Sequence, residues 1–327
     1  MSGVLPRVRR AVRTHGLWVT ALLTVVVFFG LFLFGDADAV VDALTLLEWW
    51  RIGAVFGLVA VSYGVRFLKW EFYLHELGID VPLRSSLLVF VSGLMMVVTP
   101  GKAGEVWKAW FLRDLHDVAV NRTASVVGAE RVTDLLALMA FAGLGLVVYQ
   151  QSSTTLVVVA ALFFGGLMLI QWRTLCLRLL DGLETIPVIG GYADDVREFY
   201  DNTYTLFRLR PLVVSMGISV VAWGLEGVAL WIVLNGFVVD SSLLLALFVF
   251  GLGSVVGAAS LLPGGLAAAE ATMVGLLVVL GYSRTVAVSS TLVIRVGTLW
   301  FGALLGTAVF VLYRFLRNRR NSTPVDG

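Results

Sequence analysis

Thr99-Pro100-Gly101-Lys102-Ala103-Gly104-Glu105 interrupts one long apolar run of this chain. Leu262-Pro263-Gly264-Gly265-Leu266-Ala267-Ala268-Ala269-Glu270 interrupts another. Proline lacks the N–H that a helix interior needs, and glycine weakens a helix. In lipid, a broken helix persists only where protein or a watery cavity satisfies the freed backbone. Two such breaks, one in each half, predict paired helical hairpins that meet at a site inside the membrane.

The rest of the sequence agrees with a membrane reading. Of 327 residues, 59% are hydrophobic and 14% charged, far from a soluble average. Several apolar runs exceed the roughly 18 residues that mark a spanning helix. Short alternating strands of the kind that build an outer-membrane barrel are missing. The fold class expected is therefore an all-α polytopic membrane protein. It has about six spanning helices and two re-entrant helical hairpins in an inverted repeat. The one cysteine, Cys176, excludes an internal disulfide framework and a Cys-based zinc site. His15, His75 and His116 are scattered, so no metal and no cofactor are expected. Gly101-Lys102 lacks the frame of a P-loop, and no basic-aromatic face suggests nucleic acid.

Charge sets the orientation. Arg7, Arg9, Arg10 and Arg13 precede the apolar stretch Leu17–Phe34, which is longer than a signal-peptide core and is expected to stay as a first span. Residues 1–16 then form a basic cytoplasmic N-terminus. A short acidic loop, Gly35–Glu48, is expected outside. Arg51–Leu74 returns inward. Leu83–Val98 and Lys102–Asp117 form the first hairpin, flanked by Arg84, Lys108, Arg113 and Arg122, so it opens to the cytoplasm. Ala103, Val106, Trp107, Trp110 and Phe111 share one helix face, and Lys102, Glu105 and Lys108 share the other. Ala124–Tyr149 goes out, Gln150–Thr155 is a neutral turn, and Leu156–Trp172 comes back. Residues 173–210 read as amphipathic helix on the cytoplasmic surface, too short for a separate catalytic domain. Pro211–Leu234 goes out. Leu243–Leu262 and Leu266–Leu280 form the second hairpin, open to the outside. Thr285–Tyr313 comes in, and Arg314, Arg317, Arg319 and Arg320 start a basic tail, 314–327.

Both halves thus repeat one order of parts with opposite orientation: about 51–150 and about 211–313, within one transmembrane domain, 17–313. From Pro100 to Arg131 is 31 positions, and from Pro263 to Arg295 is 32.

Arg295 is the sharpest site signal. It lies about 15 Å into its helix at ~1.5 Å per residue, near the midplane, where an unpaired arginine is costly. Either Glu270 or Glu226 would neutralise it, or it grips an anion such as a lipid phosphate. Arg131 has Asp134 at i+3, a local partner, with Glu130 on the face of Asp134. Arg66 and Lys69 lie one turn apart near the inner end of their helix. They either snorkel to the interface or face the layer that holds Lys102 and Lys108. Glu105, between Lys102 and Lys108, reads as a surface ion pair or a gate. Glu270 has no local partner and sits among alanines, so it must find a cation, with Arg295 and Arg131 the first candidates, or be protonated. The half-helices that begin at Pro100 and Pro263 offer free N–H groups to an anion, with Gly101, Gly104, Gly264 and Gly265 as their hinges.

At Arg66-Phe67-Leu68-Lys69-Trp70, Thr99–Glu105, Glu130-Arg131-Val132-Thr133-Asp134, Leu262–Gly265 with Glu270, and Arg295, the sequence resembles the transmembrane domain of lysylphosphatidylglycerol synthases. The resemblance covers about residues 15–315. It implies a flippase-like domain that moves a lipid headgroup between leaflets, with those residues around the path. In the resistance factors of this family the lipid is an aminoacylated phosphatidylglycerol. Some archaeal relatives are associated with polyprenyl-phosphate sugars. The soluble aminoacyl-transferase domain of those factors is absent here, so lysyl transfer is not expected. The run Gly264–Glu270 also lacks an arginine that relatives often carry, which argues against lysyl-lipid selectivity.

The expected function is therefore a non-enzymatic lipid translocase in the cell membrane, with both termini cytoplasmic. Its partner is a membrane lipid with an anionic or sugar-phosphate headgroup. The alternative is a membrane glycosyltransferase that uses Asp36 and Asp38, or an accessory subunit that recruits a soluble synthase or glycosyltransferase through Arg173–Arg210. The sequence leaves the lipid and the oligomeric state open.

Overall fold

A computed structural model describes residues 22–99, 103–149, 193–237 and 240–322, together with Ala161 and Gly165. Both basic ends lie outside them in part or whole, as do Pro100, Gly101, Lys102, Gln150–Thr155, most of Leu156–Trp172 and all of 173–192. All the regular elements described are helical. In chain order they are α1 (Leu22–Phe34), α2 (Ala37–Leu46), α3 (Trp49–Glu76), α4 (Leu83–Gly93), α5 (Trp107–His116), α6 (Val120–Tyr149), α7 (Ala193–Leu206), α8 (Leu209–Leu234), α9 (Leu243–Ala259), α10 (Ala268–Val279), α11 (Arg284–Arg295) and α12 (Phe301–Ser322). Four helical stretches among them are long and apolar enough to cross a membrane: α3, α6, α8 with the turn after it, and α11 continued through α12. The bent pair of α1 and α2 makes a fifth candidate.

That bend corrects one expectation. Gly35–Glu48 is not a loop: α2 turns 93° from α1 and continues as helix. Asp36 takes a left-handed backbone, φ 66°, to make the corner. Val40 is then fully buried, and Gly35 lies so close to Val40 and Val288 that a Cβ there would collide with both. Apolar residues at helical spacing hold α2 down despite its acidic ends. On α1, Val25, Val26, Phe29 and Leu33 stay exposed, as lipid-facing residues should.

The helices pack around α3 and α8, which run along one another, with α6 against α8, α9 and α5. Residue identities explain the closest approaches. Gly253 and Gly257, one turn apart on α9, face Met273 and Ala269 of α10; a Cβ on Gly257 would stand 2.9 Å from the Ala269 Cβ. The two arms of the second hairpin therefore pack nearly backbone to backbone. Serines cap two helix starts: Ser242 Oγ accepts from Leu245 N at 3.1 Å at α9, and Ser283 Oγ from Val286 N at 3.2 Å at α11. Buried apolar residues form two clusters. One gathers Val55, Leu138, Trp223, Phe250 and Met273 around the second hairpin. The other gathers Trp70, Tyr73, Phe90, Phe111 and Leu112 around the first.

Both hairpins break where the sequence places them. In the first, α4 tightens into a 3-10 turn, Leu94–Val98, and a second 3-10 turn, Ala103–Val106, leads into α5. Thr99 ties the two sides. Its hydroxyl donates to the Met96 carbonyl at 2.6 Å and accepts from Gly104 N at 2.9 Å. In the second, four residues take positive φ: Leu261, Gly264, Gly265 and Ala267. The sequence pointed to the glycines; Leu261 and Ala267 adopt the same region at the cost of steric strain. The first arm of the second hairpin is also shorter than expected, since α9 ends at Ala259, before Leu262.

The first hairpin inverts an amphipathic expectation from water. On α5, Lys108, Ala109, Phe111 and Leu112 are buried, while Val106 just before it and Trp110 on it are exposed. In a membrane the outside is apolar, so tryptophan and valine can face out and the charge must go in.

Candidate functional site

The charge that goes in gathers at one place. A cavity of about 230 Å³ is walled by Val97 and Glu105 of the first hairpin and by Leu262, Gly264 and Gly265 of the second. Arg66, Lys108, Glu130, Arg131, Asp134, Glu226 and Arg295 also reach its wall. Aromatic residues come from both apolar clusters, Tyr63, Trp223 and Phe250 from one and Phe90 from the other, so the cavity lies where the clusters meet.

Each ionised group has a partner that its helix delivers. Arg66 of α3 donates through Nη2 to Glu226 Oε1 of α8, which also accepts from Ser62 Oγ at 3.0 Å. The Arg66 guanidinium stacks on the Trp223 ring at 3.9 Å. One turn on, Lys69 donates to Asp134 Oδ1 at 2.5 Å and to Ser219 Oγ at 2.8 Å. Lys69 is only 1% exposed. Neither residue snorkels. A serine and a carboxylate across the helix interface satisfy them better than the interface could. Lys108 of α5 crosses Gly93 of α4, where a Cβ would stand 2.6 Å from its stem, and reaches Glu130 Oε2 at 2.7 Å. Its ammonium lies over Trp70 at 4.5 Å.

Glu105 is likewise not a surface pair. It is buried, 4.0 Å from Lys108 Nζ and 3.3 Å from Arg131 Nη2. The expected local pairing of Arg131 with Asp134 is present, at 3.1 Å. Arg295 pairs with Glu270 rather than Glu226, Nε to Oε1 at 2.5 Å, and its Nη2 donates to the Gly264 carbonyl at 2.7 Å. Glu270 therefore pairs with Arg295 and not with Arg131. Its other oxygen, Oε2, is buried with no hydrogen-bond partner. Directly after Arg295 the helix widens into a π-turn, Val296–Trp300, and the Tyr63 hydroxyl donates to the Thr298 carbonyl there at 2.9 Å.

The arrangement brings Arg66, Glu105, Arg131, Asp134, Glu226 and Arg295 onto one wall, with the hinge residues Gly264 and Gly265. Lys69 and Glu270 stand behind it as partners of Asp134 and Arg295. Pro263 forms the second turn, where its carbonyl accepts from Leu266 N at 3.1 Å, and Gly104 closes the first. Lys102, Pro100 and Gly101 fall outside the described residues. Sequence reading left out Lys108, Glu130 and the aromatic wall. Signals existed: Lys108 is one turn from Glu105, and Glu130 adjoins Arg131 inside an apolar run. Nothing in the sequence marked Trp223 as the platform for Arg66. Asp36 and Asp38 are exposed at the α1–α2 corner, away from this cavity.

Two features define what the site can do. Among the described residues, five cations (Arg66, Lys69, Lys108, Arg131, Arg295) meet five carboxylates (Glu105, Glu130, Asp134, Glu226, Glu270). Arg131 alone keeps substantial exposure, 29% of its side chain against 11% or less for the other nine.

Comparison with known proteins identifies a family. A family model described as the lysylphosphatidylglycerol synthase TM region matches residues 18–306. Two proteins of Methanothermobacter thermautotrophicus, each described as a UPF0104 membrane protein, are similar. One is 26% identical over 308 residues, covering 88% of this chain and 90% of the relative. The second is 25% identical over 268 residues, covering 74% and 79%.

Proposed function

We propose, for a chain that belongs to the lysylphosphatidylglycerol synthase TM region family, that it is a lipid translocase. It passes a phosphate-bearing headgroup between leaflets by binding and release, without bond chemistry. The observation that carries this reading is a cavity lined by residues of both hairpins, with arginines on its wall. Charge there is expensive to keep in a membrane and is functional by default. A headgroup crossing the bilayer needs such polar partners midway, because hydrocarbon offers none. Broken hairpins supply backbone N–H and C=O groups at the same depth.

The same proposal includes the topology. Six spans in an inverted repeat would leave both termini cytoplasmic in the cell membrane, by the distribution of arginine. Arg131 would receive the phosphate, with Arg66, Arg295 and Lys102 along the path. Glu105 would stand against Arg131 until lipid arrives.

The test is lipid exchange in reconstituted vesicles. Acyl-labelled fluorescent phosphatidylglycerol and phosphatidylethanolamine in the inner leaflet should become accessible to an impermeant quencher faster than in protein-free vesicles. Rates equal to those of empty vesicles, across anionic, zwitterionic and sugar-phosphate lipids, would overturn the proposal.

A further inference from the structure

We infer that the cavity opens sideways into hydrocarbon, through a mouth between α6 and the second hairpin, and that a hydrocarbon tail of the bound lipid lies in that mouth while its headgroup is inside. The mouth is bounded by Leu135 on α6 and by Ala258 and Leu262 on the hairpin. The tail's place rests on the reading of Arg131 as the phosphate site.

The first reason is which wall residues reach the surface. Among the described residues that line the cavity, three are exposed: Leu135 at 37%, Leu262 at 38%, and Ala258. All three are apolar. The ionised residues of the same wall are buried or half-buried. A mouth that met water would carry polar groups on its rim. Here the rim is apolar and the charge is within, as hydrocarbon outside requires.

The second reason is the spacing on α6. Arg131 and Leu135 stand at i and i+4, so they share a helix face, about 6 Å apart along the axis. Arg131 keeps 29% of its side chain exposed. Its buried Nε makes no hydrogen bond among the described residues. That N–H is one tine of the fork that grips a phosphate. A cation followed one turn on by a leucine, both reaching the surface, fits an amphiphile: phosphate first, then tail. A soluble phosphate would use the arginine and leave the leucine bare.

The third reason is size. The cavity holds about 230 Å³, less than the roughly 300–1,000 Å³ of pockets that enclose a drug-sized ligand. It has room for a headgroup and none for the tails. Each methylene drawn from hydrocarbon onto these ionised groups also costs free energy, so the tails stay out.

The apolar rim extends beyond the cavity wall. Leu261, beside Leu262, takes a left-handed backbone, φ 55°, that glycine adopts without strain. The position nevertheless carries a leucine, 68% exposed. On α9 the rim residue is an alanine, which leaves the mouth clear on that side.

The experiment adds trace phosphatidylglycerol or trace diacylglycerol, each with a diazirine in one acyl tail, to the full chain in uncharged detergent. After illumination, mass spectrometry measures labelling at Leu135 and Leu262. Leu144, exposed on α6 and not on the cavity wall, is the reference. The phosphate-bearing probe should label the two rim residues about tenfold more than diacylglycerol does, the weight of one charge-assisted contact. The two probes should label Leu144 equally, and Arg131→Gln should erase the difference at the rim. In vesicles, Ala258→Trp should block the mouth and stop most lipid exchange in a folded protein. Val256→Trp, on the opposite face of α9, should not. Equal labelling of the rim by both probes would overturn the inference without any variant. So would a difference that survives Arg131→Gln, or a folded Ala258→Trp protein that exchanges lipid like an active wild type. Phosphate-dependent rim labelling in a wild-type protein that exchanges no lipid would support the inference while refuting the translocase reading.

Discussion

The second hairpin and the first are built from the same parts, a broken helix, a carboxylate and an arginine on a later helix, but they hold their arginines differently. Arg295 is bound twice, to Glu270 at 2.5 Å and to the carbonyl of Gly264 at 2.7 Å, inside a turn with four positive-φ residues. It locks a strained backbone. Arg131 rests against Glu105 and Asp134 without such alignment and keeps 29% of its side chain open. The comparison teaches that depth in the membrane alone does not identify the residue that meets a ligand. Arg295 is the more deeply placed signal in the sequence, and the structure gives it a structural occupation.

The most disruptive way to probe that contrast is to unpair the second hairpin. Arg295→Gln should destabilise the protein by about 3–5 kcal/mol, because Glu270 would remain buried without its cation. Thermal unfolding in detergent measures this. Adding Glu270→Gln should recover most of the loss. A single variant as stable as wild type would erase the distinction between the two arginines.

The next effect is steric. Gly257→Val should cost about 1–3 kcal/mol by overpacking α9 against Ala269 of α10. Unchanged stability would show that the arms of the second hairpin are not as close as described. In the opposite direction, Ala267→Gly should add about 1 kcal/mol by relieving the strain of φ 70°. A loss of stability there would mean that the left-handed turn is not formed. The equivalent change for the first half, Arg131→Gln, should have the smallest effect on unfolding, under about 1 kcal/mol, as expected for a partly exposed ion pair.

The sequence made the breaks legible because proline and glycine act locally. The partner of Arg295 was narrowed to Glu270 or Glu226, and only the fold chooses Glu270. Long-range pairing was not. Arg66 and Glu226 are 160 positions apart, and Lys69 and Asp134 are 65. Periodicity assigns a residue to a helix face but not to the helix it will meet. The face itself was easy to misjudge: Lys108 and Glu105 look like a solvated edge, yet lipid on the outside drives them inward while Trp110 turns out. α2 was hidden for the opposite reason, as its acidic residues masked a short apolar stripe around Val40.

The most direct measurement sets Arg131→Lys beside Arg295→Lys in the same vesicles, with unfolding and lipid exchange recorded for each. Lysine keeps the charge and removes the planar fork. Arg131→Lys is expected to unfold like wild type and to lose most lipid exchange, whereas Arg295→Lys is expected to lose stability and to lose exchange only in proportion. An Arg131→Lys protein that exchanges lipid at the wild-type rate, beside an Arg295→Lys protein of full stability and no exchange, would contradict the assignment.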